Sequence, residues 1–331
     1  MYLSPLLIAV GIVQYIKAMI KEFGEDLLKK VSSPAAKWLF VVDEKSPKLN
    51  REQADKFVKF VAKFLLWVMK RNRPDIKTAV SFLCTRNKEP DKDDWCKLVC
   101  VMSWLEQMVE DVRIIGADDL HRMLTFIDSA HAVHPNMRGH TGAGLTTFGT
   151  GIIDQKLSKQ KMNMRSSTET EEVGTSEYLP KNIYFKMFME AQGYTLKWNI
   201  LAEDNESTIR MSKNGRESCT SNSKHIAIKY FWVTDRIKNG NIEIVHCPTK
   251  QMVSNYFTKP LQGALFYMFQ NVIMGWVHIS TVYSGYAASK EHVGNNENEV
   301  KCDKNKYVKK KAYVNNESLD ATSQAVKKKK S

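Results

Sequence analysis

The sequence has 331 residues, enough for one large domain or two smaller ones, and its 43% hydrophobic content leaves room for a sizeable core. With 49 Lys and Arg against 36 Asp and Glu the net charge is +13, which excludes an acidic chain and favours nucleic acid or an acidic membrane surface as partner. Lys290–Ser331, with 11 Lys and 6 acidic residues, carries +5 of this, so +8 belongs to the rest.

In chain order, Leu6–Val13 is apolar but too short to span a bilayer, and it lacks a basic leader and a small-residue cleavage site, so it reads as a strand or helix start. Tyr15–Phe23 has helical periodicity, and Ser32–Ala36 breaks it. Three helices follow. Asn50 caps the first, whose stripe is Ala54, Phe57, Val58, Val61, Phe64, Leu65 and Val68. Pro74 opens the second, which runs to Cys84. Asp93 and Asp94 start the third, with Trp95, Leu98, Val99, Met102 and Leu105 as its stripe. These stripes are core packing.

From Asp111 the pattern changes. Val112–Ile115 and Leu124–Asp128 read as strands, and the glycine-punctuated stretch 144–162 as a meander. Thr168–Gln192 reads as a helix that Pro180 should disturb. Then come a strand at Leu196–Ile200, helices at Ser207–Lys213 and His225–Lys238, a strand at Ile242–His246 and a mostly helical Met252–Gly275. Such an order predicts an α/β domain with a mixed sheet. After Ser289 the chain is rich in Asn, Lys and Glu and reads as disordered. Six cysteines at 84, 96, 100, 219, 247 and 302 form no Cys-x-x-Cys pair, which points to a reducing, cytoplasmic or nuclear place and not to secretion.

Four polar residues sit where a site would be built: Asp128 late in a strand, Glu171 in the first turn of a helix, Asp204 after a strand and Asn255 near a helix start. Carboxylates gathered from such places hold hard cations through oxygen, and two ions can clamp a phosphoryl displacement. Each also has a plain structural reading. Asp128 would end its strand, Glu171 would complete a capping box with Thr168, and Asp204 would belong to a loop. Gly116–Leu120 holds an Asp-Asp pair but lacks the Tyr of a polymerase palm motif, and reads as a turn. His131, His134 and His140 lack the further ligand a zinc set needs.

The order of the motifs resembles the ribonuclease H domain at the C-terminal end of copia-type long-terminal-repeat retrotransposon polyproteins. The matching blocks are Ile127–His134 with His140–Gly142, Lys159–Lys161 with Ser166–Glu171, Glu203–Ser207, Lys213–Arg216, Ser223–Ile226 with Tyr230 and Phe231, and Cys247–Thr249 with Phe257–Gln262. Upstream, Lys70–Val80 and Asp93–Leu98 are similar to the segment after a reverse transcriptase palm, so the resemblance covers residues 12–275. It implies a remnant of the palm end at 1–45, a helical thumb or connection segment at 46–110, a ribonuclease H-like domain at 111–275 and a disordered basic tail at 276–331. The implied fold is α/β, a ribonuclease H-like mixed sheet with flanking helices.

The implied activity is cleavage of the RNA strand of an RNA–DNA hybrid with two Mg²⁺ ions, or Mn²⁺ in their place. The ligands would fall on Asp128, Glu171, Asp204 and position 255. There the family has a carboxylate and this chain has Asn255, whose amide lacks the charge. The implied partners are the hybrid and other Pol parts, with no membrane. Lys159, Lys161, Arg165, Lys213, Arg216 and Lys224 are candidate phosphate contacts. The alternative is a catalytically dead relic that only binds nucleic acid.

Overall fold

The computed structural model describes residues 6–134, 136–215 and 224–288. Arg216, the segment 217–223 and the tail from 289 lie outside the described residues, as does the side chain of Lys224.

The strand alternation read from the sequence is used on both faces of one sheet. In β3 (Arg122–Phe126), Leu124 and Phe126 point to one core while Met123 and Thr125 point away, and all five residues are buried. In β7 (Trp198–Glu203), Ile200 and Ala202 join the first core and Leu201 the opposite one. Strands buried on both faces are central ones. The five-stranded sheet runs β6 (Asp154–Lys159), β4 (His140–Thr147), β3, β7, β8 (Glu243–His246). It is mixed: β4 is antiparallel to β3 and β6, while β7 is parallel to β3 and β8. The mixed α/β class expected from the sequence is therefore present.

A smaller antiparallel sheet joins β1 (Leu6–Val10), β2 (Arg113–Ala117) and β5 (Gly149–Thr150). Leu7 lies opposite Gly116 in its register, so the first apolar run is a strand paired across the whole helical segment. The Asp118–Asp119 pair is a connection between the two sheets, with Asp119 accepting from the His121 backbone at 2.8 Å and Asp118 taking the Tyr286 hydroxyl. It is the turn that the sequence suggested.

The helical segment covers one face of the large sheet. It consists of α1 (Val13–Phe23), α2 (Arg51–Val58), a π-helical stretch Lys59–Leu65, α3 (Leu66–Arg71), a 3₁₀ turn Pro74–Ile76, α4 (Lys77–Cys84) and α5 (Lys92–Gln107). Its buried residues Phe57, Val61, Val80, Met102 and Trp104 share a core with Leu124, Phe126 and Ile200 of the sheet. Asn50 is the N-cap expected, accepting from the Gln53 backbone at 2.8 Å. The apolar stripe shifts, however. Phe60 is buried whereas Phe64 is only half-buried, because the π-helical stretch Lys59–Leu65 widens the turn and rotates the side chains within and after it; Ala54, ahead of that stretch, is also half-buried. The third helix is capped by Asp91, in a reciprocal box with Asp94.

On the other face lie α6 (Ser167–Ala191), α7 (Glu206–Asn214) and α8 (Lys224–Lys238). α6 runs on through Pro180, contrary to the expected disturbance. Pro180 is on the exposed side of the helix, where its ring meets no packed neighbour, and Val173, Tyr178 and Leu179 anchor the inner side. After β8 come α9 (Asn255–Thr258) and α10 (Gly263–Ile273). Residues 276–288, assigned to the tail from the sequence, are part of the body. Ile279, Tyr283 and Tyr286 are buried, and Tyr283 packs edge-on against Phe126 at 5.2 Å. Their three apolar side chains are enough to hold a short segment that lacks helical periodicity. No helix of the described residues is long and apolar enough to cross a membrane.

Candidate metal centre

Asp128 and Asp204 are brought together by strand register. β3 and β7 are parallel with Phe126 opposite Ala202, so the residues two further along each chain leave the sheet side by side. This is the edge at which β3 has an antiparallel neighbour on one side and a parallel one on the other, the kind of crevice beyond strand ends where ligands bind. Glu171 arrives from α6. A buried polar ladder sets the position of that helix: Asn182 bonds Thr125 at 2.9 Å and exchanges two bonds with Asn199, and Tyr178 bonds Thr146 at 2.9 Å. Gly144 on β4 leaves the space, since a Cβ there would come within 2.1 Å of the Tyr178 ring.

The carboxylate oxygens of Asp128, Glu171 and Asp204 all lie within 4.8 Å of one another. Asp128 and Glu171 are buried and Asp204 is half-buried. Burial and the mutual repulsion of the acids hold Glu171 well above the usual carboxylate range. Burial also raises Asp128, opposed by the nearby Lys259 ammonium. Glu171 Oε2 is buried and has no hydrogen-bond partner. Hard oxygen donors, crowded negative charge and an orphaned carboxylate oxygen fit a divalent cation of the Mg²⁺ or Mn²⁺ kind.

Three details differ from the sequence reading. Thr168 does not cap α6. Ser166 does, accepting from the Glu169 backbone at 3.2 Å, which places Glu171 in the second turn, facing inward. Asn255 is buried with both ends of its amide engaged: Nδ2 donates to the Thr249 carbonyl at 3.0 Å, and Oδ1 accepts from Lys259 Nζ. α9 instead reaches the site through Thr258, whose hydroxyl donates to Asp128 Oδ2. Position 255 therefore sits beside the trio with its oxygen already bonded.

Sequence reasoning gave no role to Thr258 and Lys259, which the Phe257–Gln262 block contains; of two more buried acids it passed over Glu172 in favour of Glu171 and missed Glu203. Glu172 accepts from Ser212 at 2.7 Å and burial lifts it to about 8. Glu203 accepts from the Asn205 backbone at 3.1 Å. A run of three acids on one helix, 169, 171 and 172, was the available signal for Glu172. Exposed His131, bonded to Thr170 at 3.0 Å, stands next in sequence to this cleft.

The second acidic group, Asp91, Asp93 and Asp94, is neutralised by Arg86 and Lys97 and serves as a helix cap. His134 belongs to the core, its ring stacked on Phe82 at 6.3 Å, and burial lowers it to about 4. The pH consequence has a definite sign. The unfolded chain binds a proton on this imidazole near 6.5 and the folded chain does not, so stability is present above 6.5 and is lost as pH falls toward 4. This group's own share is on the order of 2 kcal/mol between pH 7 and pH 5, set against the stability that Glu172, lifted to about 8, gains over the same fall, so it is read as the difference between wild type and His134→Gln. His134→Gln should flatten that part of the profile, and an unchanged profile would show that another group carries it.

The fold and cleft define a mixed α/β protein with an acidic centre, of a composition that could hold a metal ion, at the ends of two parallel strands. The chain is related to transposon Pol polyproteins, as the resemblance to copia-type elements implied. It is 26% identical to the retrovirus-related Pol polyprotein from transposon TNT 1-94 of Nicotiana tabacum, over 74% of this chain and 18% of that protein. To those from transposons RE2 and RE1 of Arabidopsis thaliana it is 24% and 23% identical, each over 61% of this chain and 14% of theirs. The chain thus spans less than a fifth of the length of these relatives. No family model matches it, and no solved structure does.

Proposed function

We propose that this chain is a ribonuclease H-like module of a retroelement Pol protein that cleaves the RNA strand of RNA–DNA hybrids. The observation that carries the reading is the convergence of Asp128, Glu171 and Asp204 within 4.8 Å, with one Glu171 oxygen left unpartnered. The mixed sheet is compatible with that fold, and the relation to Pol polyproteins supports it.

Asp128, Glu171 and Asp204 would hold the Mg²⁺. When bound, Mg²⁺ supplies an activated water for attack on the phosphodiester and charge to offset the leaving 3′ oxygen. The chain's own part is to hold these carboxylates in place. Thr258 orients Asp128, and the Ser129 backbone N–H orients Glu171. Lys161, Arg165 and Lys213, all exposed, would take phosphates, and the RNA 2′-hydroxyl would distinguish the cut strand. The hydrolysis breaks the P–O3′ bond and leaves a 5′-phosphate and a 3′-hydroxyl.

The test is cleavage of an end-labelled hybrid across a Mg²⁺ titration. Hybrid bound equally with and without Mg²⁺ and never cut is the outcome that favours the binding relic. One observation favours that second reading, the amide at position 255 with both ends bonded.

Asn255→Asp separates the two. It adds a charge beside the trio, so the Mg²⁺ midpoint should fall by about tenfold, read by calorimetry and by cleavage. It also sets an oxygen against the Thr249 carbonyl, so metal-free stability should drop by about 1 kcal/mol. Identical Mg²⁺ midpoints would remove position 255 from the ligand set.

A further inference from the structure

The carboxylate cleft leaves a basic surface on the helical segment without a role. Two grooves meet there. The first, of about 500 Å³, is lined by Lys63, Trp67, Lys70 and Arg71. The second, of about 380 Å³, shares Leu66 and Lys70 with it and continues past Lys77 to Lys156 and Lys159 on the edge strand β6. Sharing the wall formed by Leu66 and Lys70, the two lie side by side with basic residues lining both.

Three features give this surface a ligand. First, its charge is compensated only in part, by Glu177 beside Lys156 at 3.9 Å and by Asp154 near Lys77. Lys56 and Lys59, earlier on the same run of helix, are paired with Glu25 and Glu22, whereas Lys63, Lys70 and Arg71 are exposed and form no salt bridge among the described residues. Second, Lys77 lines the groove while being only 5% exposed. Its ammonium donates to the Gln155 carbonyl at 3.1 Å, with Lys70, Arg113 and Lys181 as neighbouring charges and Asp154 as partial offset. A buried ammonium among cations is stabilised by an anion placed beside it. Third, Trp67 is 39% exposed, yet its ring lies 4.4 Å from that of Tyr15, which fixes the orientation of the indole.

We propose that this groove binds single-stranded nucleic acid, with phosphates along Lys63, Lys70, Lys77 and Lys159 and a base stacked on Trp67. A cationic groove with an aromatic platform is the arrangement that holds single strands without sequence preference. An acidic peptide would satisfy the lysines and leave Trp67 unused. The bases of a duplex are stacked on one another and offer no free face. The site is independent of the cleavage chemistry and needs no divalent ion.

The experiment uses the full chain in EDTA and a fluorescein-labelled oligo-deoxythymidine, with anisotropy measured across a KCl series. Trp67→Ala should weaken binding about tenfold and Trp67→Phe should restore most of it. Lys70→Gln with Arg71→Gln should lower the slope of log affinity against log salt by about 0.7 per charge removed. The basic residues beyond 289 contribute alike to every variant, so the differences belong to the groove. In the unaltered protein, an oligonucleotide carrying 5-iodo-deoxyuridine should crosslink at Trp67 or Tyr15. Wild-type affinity and slope in all variants, or crosslinks only elsewhere, overturns the proposal. So does displacement by poly-glutamate together with indifference to Trp67→Ala, which marks a plain anion surface.

Discussion

Asp128→Asn should reduce hybrid cleavage by about a thousandfold while the chain stays folded. The substitution keeps the shape of the side chain and an oxygen to accept from Thr258, so the local structure has no reason to move. It removes one of three negative charges that lie within 4.8 Å. Transition-state charge stabilisation by a bound metal amounts to several kcal/mol, and most of it depends on the metal being held. The same change relieves repulsion in the metal-free protein. Its melting temperature in EDTA should therefore match or exceed that of the wild type.

The companion readout is thermal stabilisation by Mg²⁺. The wild type should gain about 2.7 kcal/mol at a hundred times the dissociation constant, and the variant much less. A variant that cuts hybrid within tenfold of the wild-type rate sinks the metal-centre reading. A wild type that neither cuts nor gains stability from Mg²⁺ leaves only the binding role.

The second large effect concerns folding. Asp75→Ala should cost about 3–5 kcal/mol and lower the melting temperature by about 10 °C. Asp75 and Arg73 are fully buried and joined by two bonds, Nε to Oδ1 at 2.9 Å and Nη2 to Oδ2 at 2.7 Å. Burial alone would raise the Asp75 carboxyl, but Arg73 outweighs it and holds it below the usual range. The pair is also a knot between distant elements. Arg73 donates to the Met108 carbonyl, Trp104 of α5 donates to Asp75 at 2.8 Å, and the Tyr256 hydroxyl of α9 reaches the Asp75 carbonyl at 3.1 Å.

Removing the carboxylate leaves a guanidinium in the core without its counter-charge, which is the costly way to break a buried pair. The double variant Arg73→Met, Asp75→Leu should recover most of the loss, because it removes both charges and fills the space. Urea melts of the three proteins decide it. If Asp75→Ala loses less than about 1 kcal/mol, water reaches Arg73 and the knot is not buried in solution. Because Tyr256 precedes Thr258 on α9, Asp75→Ala should also slow cleavage through misplacement of Asp128, without touching the carboxylates.

How much of this was written in the sequence depends on the range of the interaction. Local signals carried far: the N-cap at Asn50, the alternation of β3 and β7, the 3₁₀ turn at Pro74 that leads into α4 and the length of α6 follow from neighbours in the chain. Asp128, Glu171 and Asp204 were named as a set because their motif blocks occur in order, and they are the trio that the fold brings together.

Which of two adjacent acids faced the cleft was less legible. Glu171 and Glu172 are both buried, and only the docking of α6 through Asn182 and Tyr178 turns the first toward Asp128 and the second toward Ser212. The capping residue of that helix slipped by two positions for a similar reason, since Ser166 and Thr168 are equally good caps until the chain entering the helix is fixed.

Contacts between residues far apart in sequence were decided by the tertiary structure alone. The parallel register of β3 and β7 makes Asp128 and Asp204 neighbours, and no pattern within either strand encodes it. The amide of Asn255 is spent on Thr249 and Lys259, and the packing of residues 276–288 under Phe126 rests on a few aromatic side chains. Periodicity and caps are set by nearest neighbours along the chain. Register, the aim of a side chain and the burial of a short segment are set by surfaces that exist only once the elements have packed.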